Sequence, residues 1–379
     1  MADRFDFVVI GAGIAGVSVA AELAADSRVG VLEKEASPGL HATGRSAALY
    51  TELYGNAAIR ALTRASRKFF LSPPAGSSAL ATDRGCLYIA REDQLELLRQ
   101  FATLPDVITA AICVQPPAIR TLVPFLRPNY AAAAVYERTA YDLDVNAIHQ
   151  YYLRLLRDRG GRLFCSAALE SATRHDGLWN VRCAGTEICA PVLVNAAGAW
   201  GDTIAYAAGV PTVGLQPMKR TAVVVEAPTG NAFAEAPCVI DIGDNFYFKP
   251  HAGKLLLSPA DETPSEPCDA YAEDFDVAVA IDRVQQVADI RVERTPRSWA
   301  GLRTFAPDRT PIVGFDPDID GFFWHVGQGG YGIQTAPAIA RLAANLALRR
   351  PIPTDLLAHG LDPSGLAVSR FRTRTPTRP

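Results

Sequence analysis

The segment FDFVVIGAGIAGVSVAAELAADSRVGVLEKE, residues 5–35, constrains the fold more than any other part of the chain. An apolar run reads as a buried strand, Gly11, Gly13 and Gly16 form a tight turn, VSVAAELAA reads as a helix, and RVGVLEKE reads as a second strand ending near Glu33. Each residue type has a task. Gly11 makes the turn, Gly13 lets a pyrophosphate approach the backbone, and Gly16 lets helix and strand pack closely. The helix N-terminus offers free N–H groups and a positive dipole end, and Glu33 accepts from ribose hydroxyls. The spacing therefore predicts a βαβ unit that binds a dinucleotide, with Ile14, Ala15 and Lys34 beside it.

That dinucleotide is NAD or FAD, and the rest of the chain favours the flavin. NAD enzymes commonly continue the βα alternation; here it breaks after the helix NAAIRALTRASRKFF and returns only at the end, with GFFWHVG, QGGYG and IQTAPAIARLAANLAL. Between them lie a strand CLYIA, a helix DQLELLRQFATL, an irregular connection PPAIRTLVPFLRP and a helix VNAIHQYYLRLLRDRGG. Next come strands RLFCSAALESATR, LWNVRCAG, TEICAPVLVNAAG, TAVVVEA, FYFKP and KLLLSPA, then a helix DFDVAVAIDRVQQVADI. The tail VSRFRTRTPTRP reads as disordered. The fold expected is α/β: a Rossmann-type FAD-binding domain of residues 1–76, 140–215 and 300–379, with a discontinuous β-sheet substrate domain of residues 77–139 and 216–299.

Composition removes several other functions. A net charge of −3 provides no basic field for a phosphate backbone, so nucleic acid is not expected as a partner. Seven cysteines without CxxC or Cys/His clusters argue against a disulfide framework or a metal site, and for reduced thiols in the cytoplasm. No apolar run reaches the roughly 18 residues of a membrane helix; peripheral membrane association stays open, as does the oligomeric state.

Taken together, HATGRSAALY, VLVNAAGAW, FYFKP, SWAGLRTFAPD and GQGGYGIQT resemble the FAD-dependent D-amino acid oxidase-like superfamily, and within it the bacterial catabolic D-arginine dehydrogenases. The resemblance runs from the first strand to about Asp362. It implies a flavoprotein that oxidises a D-amino acid to the imino acid by hydride transfer from Cα to flavin N5. The imino acid then hydrolyses to the 2-oxo acid and ammonia, and a separate electron acceptor reoxidises the flavin. The segment RTFAPDRTPIVG has no cysteine, which agrees with noncovalent FAD. Two alternatives stay open: an oxygen-using oxidase of glycine, sarcosine or another secondary amine, and a non-catalytic flavin-binding or redox-sensing subunit.

The resemblance also implies the site. Thr43, Gly44, Arg45 and Ser46 would wrap the pyrophosphate and ribityl chain, and Ala197 and Gly198 would permit close flavin approach. Gly329, Gly330, Tyr331, Gly332 and Ile333 open a helix whose N–H groups would face the flavin pyrimidine edge. Arg220 and Arg303 would clamp the substrate carboxylate, since a guanidinium offers it two parallel hydrogen bonds; taken alone, either is equally a structural ion pair. Tyr247 and Tyr54 would add hydroxyls, the Gly330 carbonyl would take the substrate amine, and Gln334 would lie beside it. Leu49, Tyr50 and Gly85 are expected at the side-chain end. Leu49 stands where the arginine-using enzymes have a histidine, and Gly85 where they have the glutamate that binds the guanidinium. A neutral or hydrophobic D-amino acid is therefore expected rather than D-arginine.

Overall fold

A computed structural model describes residues 3–74, 78–226 and 231–372. The first βαβ unit forms as the glycine spacing predicts. Strands Phe7–Ile10 and Val29–Leu32 pair in parallel, joined by helix Ile14–Leu23. That helix is apolar on nearly every side and is accordingly buried between the sheet and helix Gly332–Ala347. Gly16 makes the contact possible: a Cβ there would stand 1.8 Å from the Gly11 carbonyl oxygen.

Six strands complete this sheet in the order Arg162–Phe164, Val29–Leu32, Phe7–Ile10, Val192–Asn195, Phe322–Val326 and Ile312–Phe315. All neighbours run parallel except the last pair. The carboxyl ends of the parallel strands thus open on one edge, where ligands of such sheets bind. Helices Ala57–Leu71 and Val145–Asp158 cover this core. Each starts on a side-chain cap: Asn56 accepts from the Ile59 amide at 3.1 Å and Asp144 from the Ala147 amide at 2.8 Å.

The second large element is a nine-stranded, mostly antiparallel sheet. It contains Cys86–Ala90, Ile112–Val114 and Ala133–Glu137 from one insertion and Gln216–Glu226, Cys238–Asp241, Tyr247–His251, Lys254–Ser258 and Thr263–Pro264 from the other. Its ninth strand, Arg297–Phe305, pairs with Gln216–Glu226 along its whole length. The expected boundary at residue 300 therefore falls inside a strand. Cross-strand partners, which short-range patterning does not reveal, decide its sheet.

Other expectations change for local reasons. RLFCSAALESATR is two strands: Arg162–Phe164 joins the parallel sheet, and Leu169–His175 joins a separate four-stranded sheet after a left-handed turn at Ser166. PPAIRTLVPFLRP is not wholly irregular, because Pro116 and Pro117 occupy the first turn of helix Pro116–Leu122, where no N–H is needed. In the tail, Val368–Phe371 forms a 3-10 turn fastened by Arg370 to Asp308 and by Arg372 to Asp316; residues 373–379 lie outside the described residues. Among the described residues, no helix is long and apolar enough to cross a membrane, and no cluster of His, Cys, Asp and Glu could hold a metal.

Candidate active site

A cavity of about 330 Å³ lies along the carboxyl ends of the parallel strands. Gly11 and Gly13 line it after strand Phe7–Ile10, Glu33 and Lys34 after Val29–Leu32, Ala197 and Gly198 after Val192–Asn195, and Gly329, Gly330, Gly332 and Ile333 after Phe322–Val326. Gly11 has φ +99°, and a Cβ there would stand 2.7 Å from the Ala196 carbonyl oxygen, so the turn requires glycine. Ile14 and Ala15 lie on the helix start within the same wall. Glu33 is locked by its backbone neighbours: one carboxylate oxygen accepts from the Ala12 amide at 2.8 Å and the other from the Glu35 amide at 2.9 Å. Each oxygen keeps a lone pair for a ribose hydroxyl. Lys34 holds its ammonium 3.5 Å over the Trp200 ring, and Trp200 lines the cavity too.

The loop after the second strand behaves differently from a simple phosphate wrap. Thr43 Oγ1 accepts from the Ile14 amide at 2.9 Å, tying the loop to the helix start. Arg45 borders the cavity, but its guanidinium pairs with Asp269 and donates to the carbonyls of Ala270 at 2.5 Å and Ala300 at 3.1 Å. Its charge is thus already met by the loop at 269–270, and it joins the two halves of the site. Ser46 lines the wall; Gly44 does not, its amide being spent on the Gly39 carbonyl at 2.8 Å.

A second cavity of about 70 Å³ adjoins the first and shares with it Ser46, Arg220, Tyr247, Arg303, Gly330 and Ile333. The two arginines differ. Arg220 donates from Nε to the Asp261 carbonyl at 2.6 Å and pairs with Glu262 at 3.1 Å, and Glu262 also pairs with Arg309 at 2.9 Å. Arg303 donates from Nη1 to the Tyr54 hydroxyl at 3.2 Å and lies against Gly330; no carboxylate among the described residues pairs with it. Tyr54 in turn packs edge-on against Tyr331 with ring centroids 5.0 Å apart. Burial, then the neighbouring Tyr54, pushes the Tyr331 hydroxyl up to about 12. Gln334 lines the second cavity while donating to Thr63 Oγ1 at 2.9 Å and accepting from the Thr51 amide at 3.3 Å.

The family model for FAD dependent oxidoreductases, the DAO family, matches residues 6–346. The chain belongs to this family. As an FAD dependent oxidoreductase it takes FAD as cofactor, and the glycine turn, the locked Glu33 and the long cavity on one sheet edge fit that molecule. The chain is 25% identical over 201 residues to FAD-dependent oxidoreductase domain-containing protein 1 of Xenopus laevis, 49% of this chain and 39% of that one. It is 24% identical over 388 residues to mitochondrial dimethylglycine dehydrogenase of Mus musculus, 96% of this chain and 44% of that one. It thus spans less than half the length of either relative. The crystal structure of glycine oxidase from Geobacillus kaustophilus superposes with a TM-score of 0.85 at 20% identity, covering 97% of this chain and 99% of that one.

Within this oxidoreductase four expected site residues besides Gly44 line neither cavity. Tyr50 is 1% exposed; its hydroxyl donates to Glu52 at 2.7 Å and it lines neither cavity. Gly85 lines neither cavity: it turns the chain with φ +70° into strand Cys86–Ala90, and a Cβ there would meet the Tyr136 ring at 2.9 Å. Gly16 and Tyr331 support the walls from behind. Leu49 does line the second cavity, on strand Leu49–Tyr50. Two charged residues of that cavity were missed. Asp244 stands on the tight turn between Cys238–Asp241 and Tyr247–His251 with φ +54°. It is exposed at the rim yet closely flanked by protein, and this desolvation, partly offset by Arg220 and Arg303, raises its carboxyl above the usual range. Lys249, two residues beyond Tyr247 in FYFKP, is the other; an alternating strand puts both on one face, which was the available signal.

Proposed function

We propose that this oxidoreductase dehydrogenates the Cα–N bond of a D-amino acid, yielding the imino acid that water converts to a 2-oxo acid and ammonia. One observation carries the reading: Arg303, a permanent cation, sits at the junction of the two cavities with a tyrosine hydroxyl and no carboxylate partner among the described residues. A substrate carboxylate supplies the missing anion through paired, charge-assisted hydrogen bonds. Tyr54 steadies the guanidinium, and Tyr247 borders the same position. The Gly330 carbonyl accepts from the substrate amine, and Arg220, neutralised by Glu262, supports the anion at longer range. Bound FAD supplies the two-electron acceptor.

No side-chain base is assigned to Cα. The amine must lose its proton to water for its lone pair to assist departure of the Cα hydrogen, so reduction rates rise with pH through the amine titration. Leu49 in the cavity wall supports a side chain without a cation over the D-arginine implied by the sequence resemblance. The small second cavity favours a second reading, oxidation of glycine or its N-methyl derivative with dioxygen as acceptor.

An anaerobic flavin-bleaching screen across D- and L-amino acids, N-methyl amino acids and 2-hydroxy acids separates these readings. Rapid bleaching by neutral D-amino acids is expected; bleaching confined to L-amino acids, hydroxy acids or N-methylglycine overturns the D-amino acid reading.

A further inference from the structure

We propose that Lys249 selects the substrate's side chain, favouring one that ends in a hydrogen-bond acceptor and rejecting one that ends in a cation; this rests on the amino acid reading above. Lys249 lies on strand Tyr247–His251 and is only 4% exposed. Residues two apart on a strand share a face about 7 Å from one another. Tyr247 borders both cavities and Lys249 only the second, so Lys249 stands on the side away from the cofactor cavity. Arg303 and Gly330 border both, which fixes the carboxylate and amine near the junction. A substrate held there directs its side chain into the part of the cavity where Leu49, Cys238, Ile240 and Lys249 form the walls.

The charge balance gives Lys249 its chemistry. Its ammonium donates to Asp142 Oδ1 at 2.6 Å, and Asp142 spends its other oxygen on Arg84 Nε at 2.7 Å. One carboxylate therefore serves two cations. Asp142 lies directly across the strand pair from Leu49, so the same short ladder sets the apolar and the cationic parts of this wall. An ammonium has three donors, and among the described residues only Asp142 accepts from this one. Buried donors left without acceptors are costly. The other acid of the cavity, Asp244, interacts with Arg220 and Arg303, so the ammonium of Lys249 is balanced by Asp142, which it shares with Arg84. A side-chain carboxamide or carboxylate meets the remaining donors; a second ammonium or guanidinium meets like charge in a desolvated site.

The test uses the FAD-loaded enzyme and four D-amino acids of similar size: asparagine and aspartate, which carry acceptors, leucine, which has the same branching without them, and ornithine, which brings a cation. Asparagine and aspartate are expected to exceed leucine in kcat/KM by about tenfold or more, with ornithine poorest. In Lys249→Met the asparagine-to-leucine ratio falls toward one and ornithine improves, while Lys249→Arg keeps the wild-type order. Asp142 stays paired with Arg84 in both variants, and thermal denaturation checks that they fold. An asparagine-to-leucine ratio unchanged in Lys249→Met overturns the role of Lys249 alone. Failure of every amino acid to bleach the flavin overturns the amino acid reading and this assignment together.

Discussion

The two walls of the active site are built in opposite ways. The wall from the parallel sheet is mostly backbone: glycine turns, a helix start and Glu33, all at the ends of neighbouring strands. The wall from the nine-stranded sheet is single side chains from four strands, Arg220, Ile240, Tyr247 with Lys249, and Arg303, and its three cations are oriented by ion pairs or a hydroxyl neighbour. Cofactor recognition is thus local in the chain and leaves no room for a side chain at Gly11 or Gly16, whereas substrate recognition depends on cross-strand register and on which acid neutralises which base.

The largest effect should come from breaking the first wall. Gly11→Ala puts a methyl 2.7 Å from the Ala196 carbonyl at a φ that L side chains rarely adopt. Purified protein is expected to lack flavin absorbance, and full retention of FAD would remove the turn from the cofactor site.

On the second wall the arginines should separate. Arg303→Met removes the cation without a carboxylate partner and is expected to cost roughly 4 kcal/mol of transition-state binding, about a thousandfold in kcat/KM. Arg220→Met leaves Glu262 paired with Arg309, so about a tenfold loss is expected. Equal losses in steady-state assays would show that the two arginines act as one clamp.

The same contrast explains what the sequence made legible. Gly11, Gly13, Gly16 and Glu33 were readable because turn, helix start and acid follow one another within one βαβ unit. The pairing of Arg220 with Glu262, 42 residues away, was not, because it exists only once two strands and a loop meet. Lys249 was overlooked beside Tyr247 because a lysine between Phe248 and Pro250 carries no signal until its face of the sheet is known. That residue 300 falls inside strand Arg297–Phe305 was hidden for the same reason.

Beneath the substrate wall lies a carboxyl group that neither motif nor periodicity announces. Glu137 is fully buried, accepts from Thr51 Oγ1 at 2.5 Å and from the Glu52 amide at 2.8 Å, and faces Tyr88, Cys86, Glu52 and, more distantly, Arg67. Burial pushes its carboxyl up to about 7 from the ordinary 4.5. Its contribution to stability is complete below the unfolded value of 4.5. It is lost as pH rises to about 7, because the unfolded chain releases a proton that the native state retains. The loss amounts to roughly 3 kcal/mol and then levels off. Urea denaturation across that range should show a declining stability that Glu137→Gln flattens; parallel pH profiles for both proteins would mean that the carboxyl titrates normally.

The smallest effect tests the face assignment of a two-residue strand. Successive strand residues point to opposite faces, so Leu49 reaching the cavity commits Tyr50 to the core, where its ring lies 5.8 Å from both Phe70 and Tyr141. Burial, with Glu52 beside it, holds the Tyr50 hydroxyl well above the ordinary phenol value, so it serves as a donor throughout the working pH range. Tyr50→Phe removes its donation to Glu52 and to the Thr63 carbonyl but leaves Glu52 within 3.7 Å of Arg67. About 1 kcal/mol of stability should be lost, with kcat/KM unchanged for every substrate. A substrate-dependent change in kcat/KM at equal stability would place Tyr50 in the pocket and reverse the assignment of both faces.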